Sequence, residues 1–239
     1  MSIELLKLFT MDKYDRQAVL MPTIICAILV GISISPIVDL TLVLSKFQKY
    51  WVIYSTLTIL SLYAILSLLM MLIRTVSKKS VEQCRFGKNL ERLPTTEFLT
   101  HNSKYGNTIL AEKVRAKVKG DFGISLKSPS LETKNPSAAY SSITAAVKLI
   151  KKKVQEHNPE MYNRMNRRYG QIRNLIGACY ISALVSTGAT ILSYILGKAI
   201  MPPIISLGIS IILALYLHFI FRKVAEDYAN ELFETYLTL

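Results

Sequence analysis

Residues 174–197 are NLIGACYISALVSTGATILSYILG, a run that contains no Asp, Glu, Lys or Arg. A second uncharged run follows Lys198 at residues 199–221, and two more lie at residues 17–38 and 50–73. Each run exceeds the roughly 18 apolar residues that mark a candidate membrane span. The four runs therefore predict an all-α membrane protein.

The composition excludes the main alternatives to a membrane protein. The chain has 239 residues, of which 51% are hydrophobic, and a net charge of +13. The central residues 74–174 are too few to cover four helices that are apolar on every side, so a soluble protein with buried helices is excluded. The long apolar runs also exclude a disordered chain and a small disulfide scaffold. A cleaved signal peptide is disfavoured because the first run is too long for one.

The four runs divide the chain into two hairpins around a central insert. We predict an N-terminal segment and first transmembrane hairpin within residues 1–73, with spans at 17–38 and 50–73. A basic cytosolic insert follows at 74–174. A second transmembrane hairpin is predicted at 175–221, with spans at 175–197 and 199–221, and a cytosolic tail at 222–239.

The distribution of positive charge predicts the orientation. From Arg74 to Asn174 the chain carries 21 Lys and Arg against 8 Asp and Glu, whereas the segments joining paired spans carry few cations. Lys and Arg near span ends remain on the cytoplasmic side of a membrane. We therefore expect the insert and both termini to be cytoplasmic, in a multi-pass protein of the bacterial inner (plasma) membrane.

A cluster of Arg and Tyr side chains just before the third span is the first candidate site. It consists of Arg164, Arg167, Arg168, Tyr169 and Arg173. Arg forms bidentate contacts with phosphate and Tyr stacks on bases, which fits a nucleotide or nucleic-acid ligand. The favoured interpretation is a basic collar that contacts anionic lipid headgroups. We expect no sequence-specific DNA binding.

The third span carries a second candidate site, a stripe of small and hydroxyl residues. Ala178, Ser182, Ser186 and Thr190 recur every four residues and so share one helix face. Small residues at this spacing let helices approach closely in lipid, which favours helix packing. The alternative is a pore lined by the three hydroxyl groups.

The sequence carries no recognisable catalytic or metal-binding motif. It lacks a Gly-rich nucleotide loop, a nucleophile elbow and a His-Glu-x-x-His segment. The three Cys residues have no zinc-like spacing and are expected to be reduced thiols. We therefore expect no enzyme activity, no catalytic residue, no cofactor and no metal.

The insert is predicted to be mainly helical. Asn135-Pro136 is a helix cap followed by Pro at the first helical position, and an apolar stripe continues to Ile150. Residues 121–135 lack a sustained period and are predicted to be a loop. A helix that opens at Asn158-Pro159 is expected to continue through Arg173 into the third span.

Three short motifs carry a resemblance to a known group. They are Asp-Lys-Tyr-Asp-Arg-Gln-Ala at 12–18, Leu-Pro-Thr-Thr at 93–96 and Tyr-Gly-Gln-Ile-Arg-Asn-Leu at 169–175. Their order resembles that in uncharacterised bacterial four-span inner-membrane proteins with Pro-Thr-Thr and Tyr-Gly-x-x-Arg-Asn-Leu motifs. Leu93 departs from the Lys expected at that position. The resemblance implies a bacterial inner membrane and little else.

Two functional hypotheses follow. The first is a non-enzymatic sensor and effector, in which the basic insert detects an anionic signal and the spans, as a homo-oligomer, perturb the membrane. By analogy of architecture alone, such a protein would act in antiviral (anti-phage) defence. The alternative is a structural scaffold that docks a cytosolic protein or nucleotide partner without pore activity. An ion-coupled transporter is disfavoured because the spans nearly lack ionisable groups.

Overall fold

A computed structural model describes residues 12–38, 51–87, 92–101 and 108–239, with only the backbone for 51–60. These residues form helices and connecting turns, and no strand occurs among them. This confirms the all-α prediction. The connector predicted between the first two spans and the beginning of the N-terminal segment lie outside the described residues.

The long helices account for the apolar runs. Helix α1 spans Lys13–Ile34, with a π-helical segment at Arg16–Leu20. Helix α2 spans Trp51–Val76 and continues through the π-helical Ser77–Gln83 and the short Cys84–Phe86. Helix α7 spans Glu160–Ile195 and helix α8 spans Met201–Thr238. Four described helices are long and apolar enough to cross a membrane.

Pro and Gly residues mark where these helices begin and end. Helix α1 ends before the predicted residue 38, because Pro36 cannot continue a helix that still needs its N–H group. Gly197 has a φ of +62°, a left-handed conformation suited to ending α7. Helix α8 then begins at Met201 with Pro202 in its first turn, where a missing N–H costs no hydrogen bond.

The described part of the chain divides into two compact units. The span unit comprises the described residues of Met1–Val81 together with Gly170–Phe219. The central unit comprises those of Glu82–Tyr169 together with Ile220–Leu239. The residues predicted as a separate tail therefore lie in the same compact unit as most of the predicted insert.

The span unit presents apolar side chains on its outside. Its exposed residues include Ile65, Leu184, Ile212 and Phe219. In the most apolar 18-residue stretch of each candidate span, between 11% and 39% of the residues are buried within the protein. Such a surface is unstable in water and stable in hydrocarbon. This surface, with the four long apolar helices, makes the chain a multi-pass membrane protein.

Shorter helices build the central unit. They are α3 at Pro94–Glu97, α4 at Thr108–Phe122, α5 at Pro129–Lys134 and α6 at Pro136–Glu156. Helix α6 packs against the other three. The cap predicted at Asn135 is confirmed, since its side chain accepts a hydrogen bond of 3.1 Å from the N–H of Ala138.

The loop predicted at residues 121–135 is partly wrong. Helix α4 continues through Gly120 to Phe122, and α5 occupies Pro129–Lys134. Pro129 stands at the first position of α5, where its fixed φ favours a helix. A single short turn has no apolar period of its own, which explains why periodicity did not reveal it.

The C-terminal part of α8 completes the core of the central unit. Val224, Tyr228, Leu232 and Tyr236 recur every four residues and are buried. Phe233 is also fully buried, and its ring stacks on that of Phe98 with centroids 4.6 Å apart. This segment is therefore a structural part of the central unit.

Candidate functional site

The structure separates the predicted Arg and Tyr cluster along α7. Arg164 and Arg168 are exposed, one turn apart, in the central unit. Arg167 is half-buried, and its Nε has no hydrogen-bond partner among the described residues. Arg173 lies in the span unit, where its Nε donates to the side-chain oxygen of Asn174 at 3.4 Å.

Tyr169 does not share the exposed face of Arg164 and Arg168. Its ring is buried between two other aromatic rings, with centroids 5.5 Å from Phe221 and 5.4 Å from Tyr228. A ring held in this way is not available to stack on a ligand. The expected ligand-stacking role of Tyr169 is therefore replaced by a role inside the protein.

Inside the protein, Tyr169 binds a buried carboxylate. The Tyr169 hydroxyl donates a hydrogen bond of 2.6 Å to Glu82, and both side chains are almost fully buried. Hydrogen bonds to an ionised carboxylate are among the stronger ones in proteins. Glu82 lies in the π-helical segment of α2, and such segments are rare and recur at functional sites.

Lys151 on α6 places an ammonium group near Glu82 and Tyr228. Its Nζ lies 5.3 Å from the centroid of the Tyr228 ring, a distance suited to a cation–π contact. Burial lowers the pKa of Lys151, while the nearby Glu82 carboxylate acts in the opposite direction. The Tyr228 hydroxyl also lies 3.3 Å from that of Tyr162.

We call Glu82, Lys151, Tyr169, Phe221 and Tyr228 the junction cluster. Its members come from α2, α6, α7 and α8, and all of them lie in the central unit. Three of these helices are also candidate membrane spans, whereas α6 is not. Within the central unit the cluster combines a buried carboxylate, a lysine ammonium group and stacked aromatic rings, and such polar networks rigidify the core that holds them.

The sequence argument did not find Glu82, Lys151 or Tyr228 as a group. Glu82 and Tyr169 are separated by 87 positions, so no local spacing reveals their contact. For Tyr228, the sequence does contain one indication, which is the four-residue apolar period of α8 that includes this residue. That period marks Tyr228 as a core residue although its neighbours are charged.

The span unit contains the second predicted site, where Ala178, Ser182 and Ser186 are buried and Thr190 is half-buried. Ser186 Oγ lies 2.7 Å from Ser33 Oγ on α1 and donates at 3.1 Å to Ser206 Oγ on α8. Three helices thus share one set of hydroxyl groups.

Neighbouring bonds extend this hydroxyl set. Ser206 Oγ donates to the Leu29 carbonyl at 2.8 Å, and Ser182 Oγ donates to the Cys26 sulfur at 3.4 Å. Thr190 donates to the carbonyl of Ser186 at 2.8 Å. The described geometry is a closed, hydrogen-bonded helix contact, since Ser33, Ser186 and Ser206 have no solvent exposure.

A cavity of about 290 Å³ lies on the central unit. It is lined by Glu97, Thr100, Glu132, Thr133, Pro136, Ala139 and Tyr140. Glu132 pairs with Arg115 at 3.1 Å and accepts a hydrogen bond of 2.9 Å from the N–H of His101. Because carboxylates line it, this cavity does not suit the anionic ligand expected from the net charge.

No protein-family model, curated protein or solved structure matches the chain. The candidate sites therefore rest on their own geometry. Within the described residues, no group of His, Cys, Asp and Glu is arranged to hold a metal ion.

Proposed function

We propose that the chain is a non-enzymatic sensor and effector of the bacterial inner membrane. In this proposal two transmembrane hairpins flank the cytosolic insert, and both termini are cytoplasmic. The central unit binds an anionic signal or partner, and the spans, assembled as a homo-oligomer, then perturb the membrane. The observation that carries the proposal is the junction cluster.

The topology rests on charge. The excess of Lys and Arg falls in the segment between the second and third spans. Retention of cations on the cytoplasmic side favours a cytosolic central unit. The short turn between α7 and α8 contains Lys198 and would face the outside.

Exposed cations supply a surface for an anionic partner. Lys148 and Lys152 are exposed on α6, and Arg164 and Arg168 are exposed on α7. Each pair is four residues apart, where like charges repel and weaken a helix. Among the described residues none of the four has a carboxylate partner. Phosphate, as a lipid headgroup or a phosphorylated ligand, would relieve that repulsion.

In this proposal, helix movement at the junction cluster carries the binding signal along helices that continue into spans. Lys151 lies within one turn of both exposed α6 cations and contacts the Tyr228 ring. A partner that moves α6 would displace Lys151 from Tyr228 and from the vicinity of Glu82. Because Glu82, Tyr169 and Tyr228 belong to helices that continue into spans, the displacement would reach the span unit.

Membrane potential in living bacteria tests this proposal. Induced expression of the wild-type chain, with and without phage infection, is expected to stop growth and depolarise the inner membrane. Glu82→Gln and Tyr169→Phe should weaken both effects, because the first removes the carboxylate charge and the second removes the hydroxyl donor of the buried hydrogen bond. Two exposed residues give matched controls, Glu156→Gln and Tyr194→Phe, which should behave as wild type. Normal growth with an intact potential under both conditions would contradict the proposal.

The alternative is a scaffold that docks a cytosolic protein without pore activity. Exposed apolar side chains on the central unit favour it, namely those of Leu131 and Met161. Cross-linking in cells followed by affinity purification tests this function. A scaffold is expected to lose a specific partner on Leu131→Asp while membrane potential stays intact throughout.

A further inference from the structure

We propose that the span unit contains a closed path for water and small monovalent cations. This inference rests on the proposed effector function and specifies what would cross the membrane. The path has two parts. The hydroxyl column consists of Ser33, Ser182, Ser186, Ser193, Ser206 and Ser210. The apolar layer consists of Cys26, Ile73, Ala178 and Ile181.

The hydroxyl column runs along the inside of the helix bundle. All six side chains have no solvent exposure. Ser182 and Ser193 on α7 are separated by about 16 Å at 1.5 Å per residue. This length is about half of the roughly 30 Å hydrocarbon layer.

Two hydroxyl groups of the column have no hydrogen-bond partner among the described residues. Ser193 Oγ and Ser210 Oγ are buried and form no hydrogen bond within the described structure. Ser193 lies seven residues after Ser186 and Ser210 lies four after Ser206, so each shares a helix face with a bonded member. A buried hydroxyl without a partner costs about 1–3 kcal/mol. Water or a cation in the path would satisfy these oxygen atoms.

The apolar layer interrupts the polar interior next to Ser182. Its four members are buried against one another, and Val30, Leu69, Val76 and Val185 pack around them. On the far side, buried polar groups return, because Asn174 Nδ2 donates to the carbonyl of Ala18 at 2.6 Å and Ser77 is fully buried. A polar path broken by one apolar constriction is the arrangement that gates a channel by excluding water.

The oxygen atoms define the permeant species. Among the described residues of the span unit, no buried side chain carries a charge. Hydroxyl and carbonyl oxygens without fixed charge suit water and small cations that exchange their hydration shell for oxygen ligands. In the proposed function, movement of α2 or α7 at the junction cluster would separate Ile73 from Ile181 and admit water.

Potassium efflux from liposomes tests the path. The purified full-length chain is reconstituted in vesicles of phosphatidylethanolamine and phosphatidylglycerol loaded with potassium, and efflux is read as dye-reported proton uptake in the presence of a protonophore. Ile73→Ser should raise efflux severalfold, because it makes the apolar layer polar. Ile65→Ser, on the exposed face of the same helix, should leave efflux at the wild-type level.

A second pair and a blocking variant make the test decisive. Ile181→Ser, with Leu184→Ser as its exposed control, repeats the comparison on α7 should Ile73→Ser not fold. Adding Ser186→Val to either open variant should abolish the extra efflux. The path is overturned if the open variants do not exceed their controls, or if the leak persists with Ser186→Val.

The same variants separate this inference from the proposed function. If the wild-type chain depolarises cells and Ser186→Val depolarises them equally, the effector function stands and the path is wrong. If the wild-type chain does not depolarise cells while the open variants leak in vesicles, the path stands and the effector function is wrong.

Discussion

The two units are built in opposite ways. The span unit places large apolar side chains outside and small hydroxyl residues inside, as the exposed Leu184 and the buried Ser186 show on α7. The central unit places cations outside and large rings inside, as Lys152 and Phe233 show.

This inversion shows that the surrounding solvent, lipid or water, determines which side chains of a helix are buried. Lipid offers no hydrophobic advantage to apolar contacts between helices, so close approach and interhelical hydrogen bonds hold the span unit together. Water expels apolar surface, so burial of aromatic rings holds the central unit together. The same helix, α7, follows one rule before Gly170 and the other after it.

The largest expected effect compares two Phe residues on α8. Phe233 is fully buried in the central unit, and Phe219 is 86% exposed in the span unit. Phe233→Ala should lower the free energy of unfolding by about 3–5 kcal/mol, because it leaves a cavity beside Phe98. Chemical unfolding in detergent micelles measures the loss. Phe219→Ala is the matched control and should cost little; equal losses would break the comparison.

The next effect concerns close packing in the span unit. A Cβ atom at Gly177 would overlap Ser77 Oγ and lie 3.1 Å from the Ser77 backbone nitrogen. Gly177→Ala should therefore destabilise the protein by about 1–3 kcal/mol through overpacking. For Gly188, no described residue lies within 4 Å of such an atom, so Gly188→Ala provides the control. Thermal unfolding of both variants in one detergent checks the difference, and a stable Gly177→Ala chain would argue against this packing.

A smaller effect is expected from one hydroxyl group. Ser186→Ala removes the hydrogen bonds to Ser33 and Ser206 and should cost about 1 kcal/mol. The control is the adjacent Thr187→Ala, which removes an exposed hydroxyl that donates to the Ala183 carbonyl of the same helix. Unfolding in micelles by a denaturing detergent measures both. If the two variants lose equally, interhelical hydrogen bonding does not stabilise the span unit.

The smallest effect is a pH dependence in the central unit. Hydrogen bonds from Lys153 and Tyr236, each 2.8 Å, lower the pKa of Asp121 below its ordinary value of 3.8. Its stabilising contribution is therefore complete above that value and is lost as the pH falls through the lowered pKa. Melting temperatures should show wild type above Asp121→Asn at neutral pH and the two converging in acid. A gap that stays constant on acidification would contradict this assignment.

Sequence reasoning predicted the four spans because a helix in lipid must be apolar over its whole length. It also predicted the shared face of Ser182 and Ser186, since four-residue spacing fixes a face. It did not predict their partners Ser33 and Ser206, because the register between helices depends on packing that one sequence does not encode locally.

The C-terminal segment at residues 222–239 shows a second limit of sequence reasoning. Acidic residues such as Glu231 and Glu234 alternate with the apolar period of Val224, Tyr228 and Leu232 and make the segment look polar as a whole. Charge on one face is compatible with a buried stripe on the other. Glu82 is the opposite case, since nothing near it in the sequence indicates that a carboxylate is buried against Tyr169.

Thiol labelling with a membrane-impermeant maleimide in spheroplasts tests the central claim, that lipid surrounds the span unit while the central unit faces the cytosol. Cys84 is exposed in the central unit, whereas Cys26 and Cys179 are buried. We predict that Cys84 is labelled only after lysis, and that Lys198→Cys in a Cys84→Ser background is labelled in intact spheroplasts. Labelling of Cys84 in intact spheroplasts, or protection of the thiol introduced by Lys198→Cys, would contradict the account.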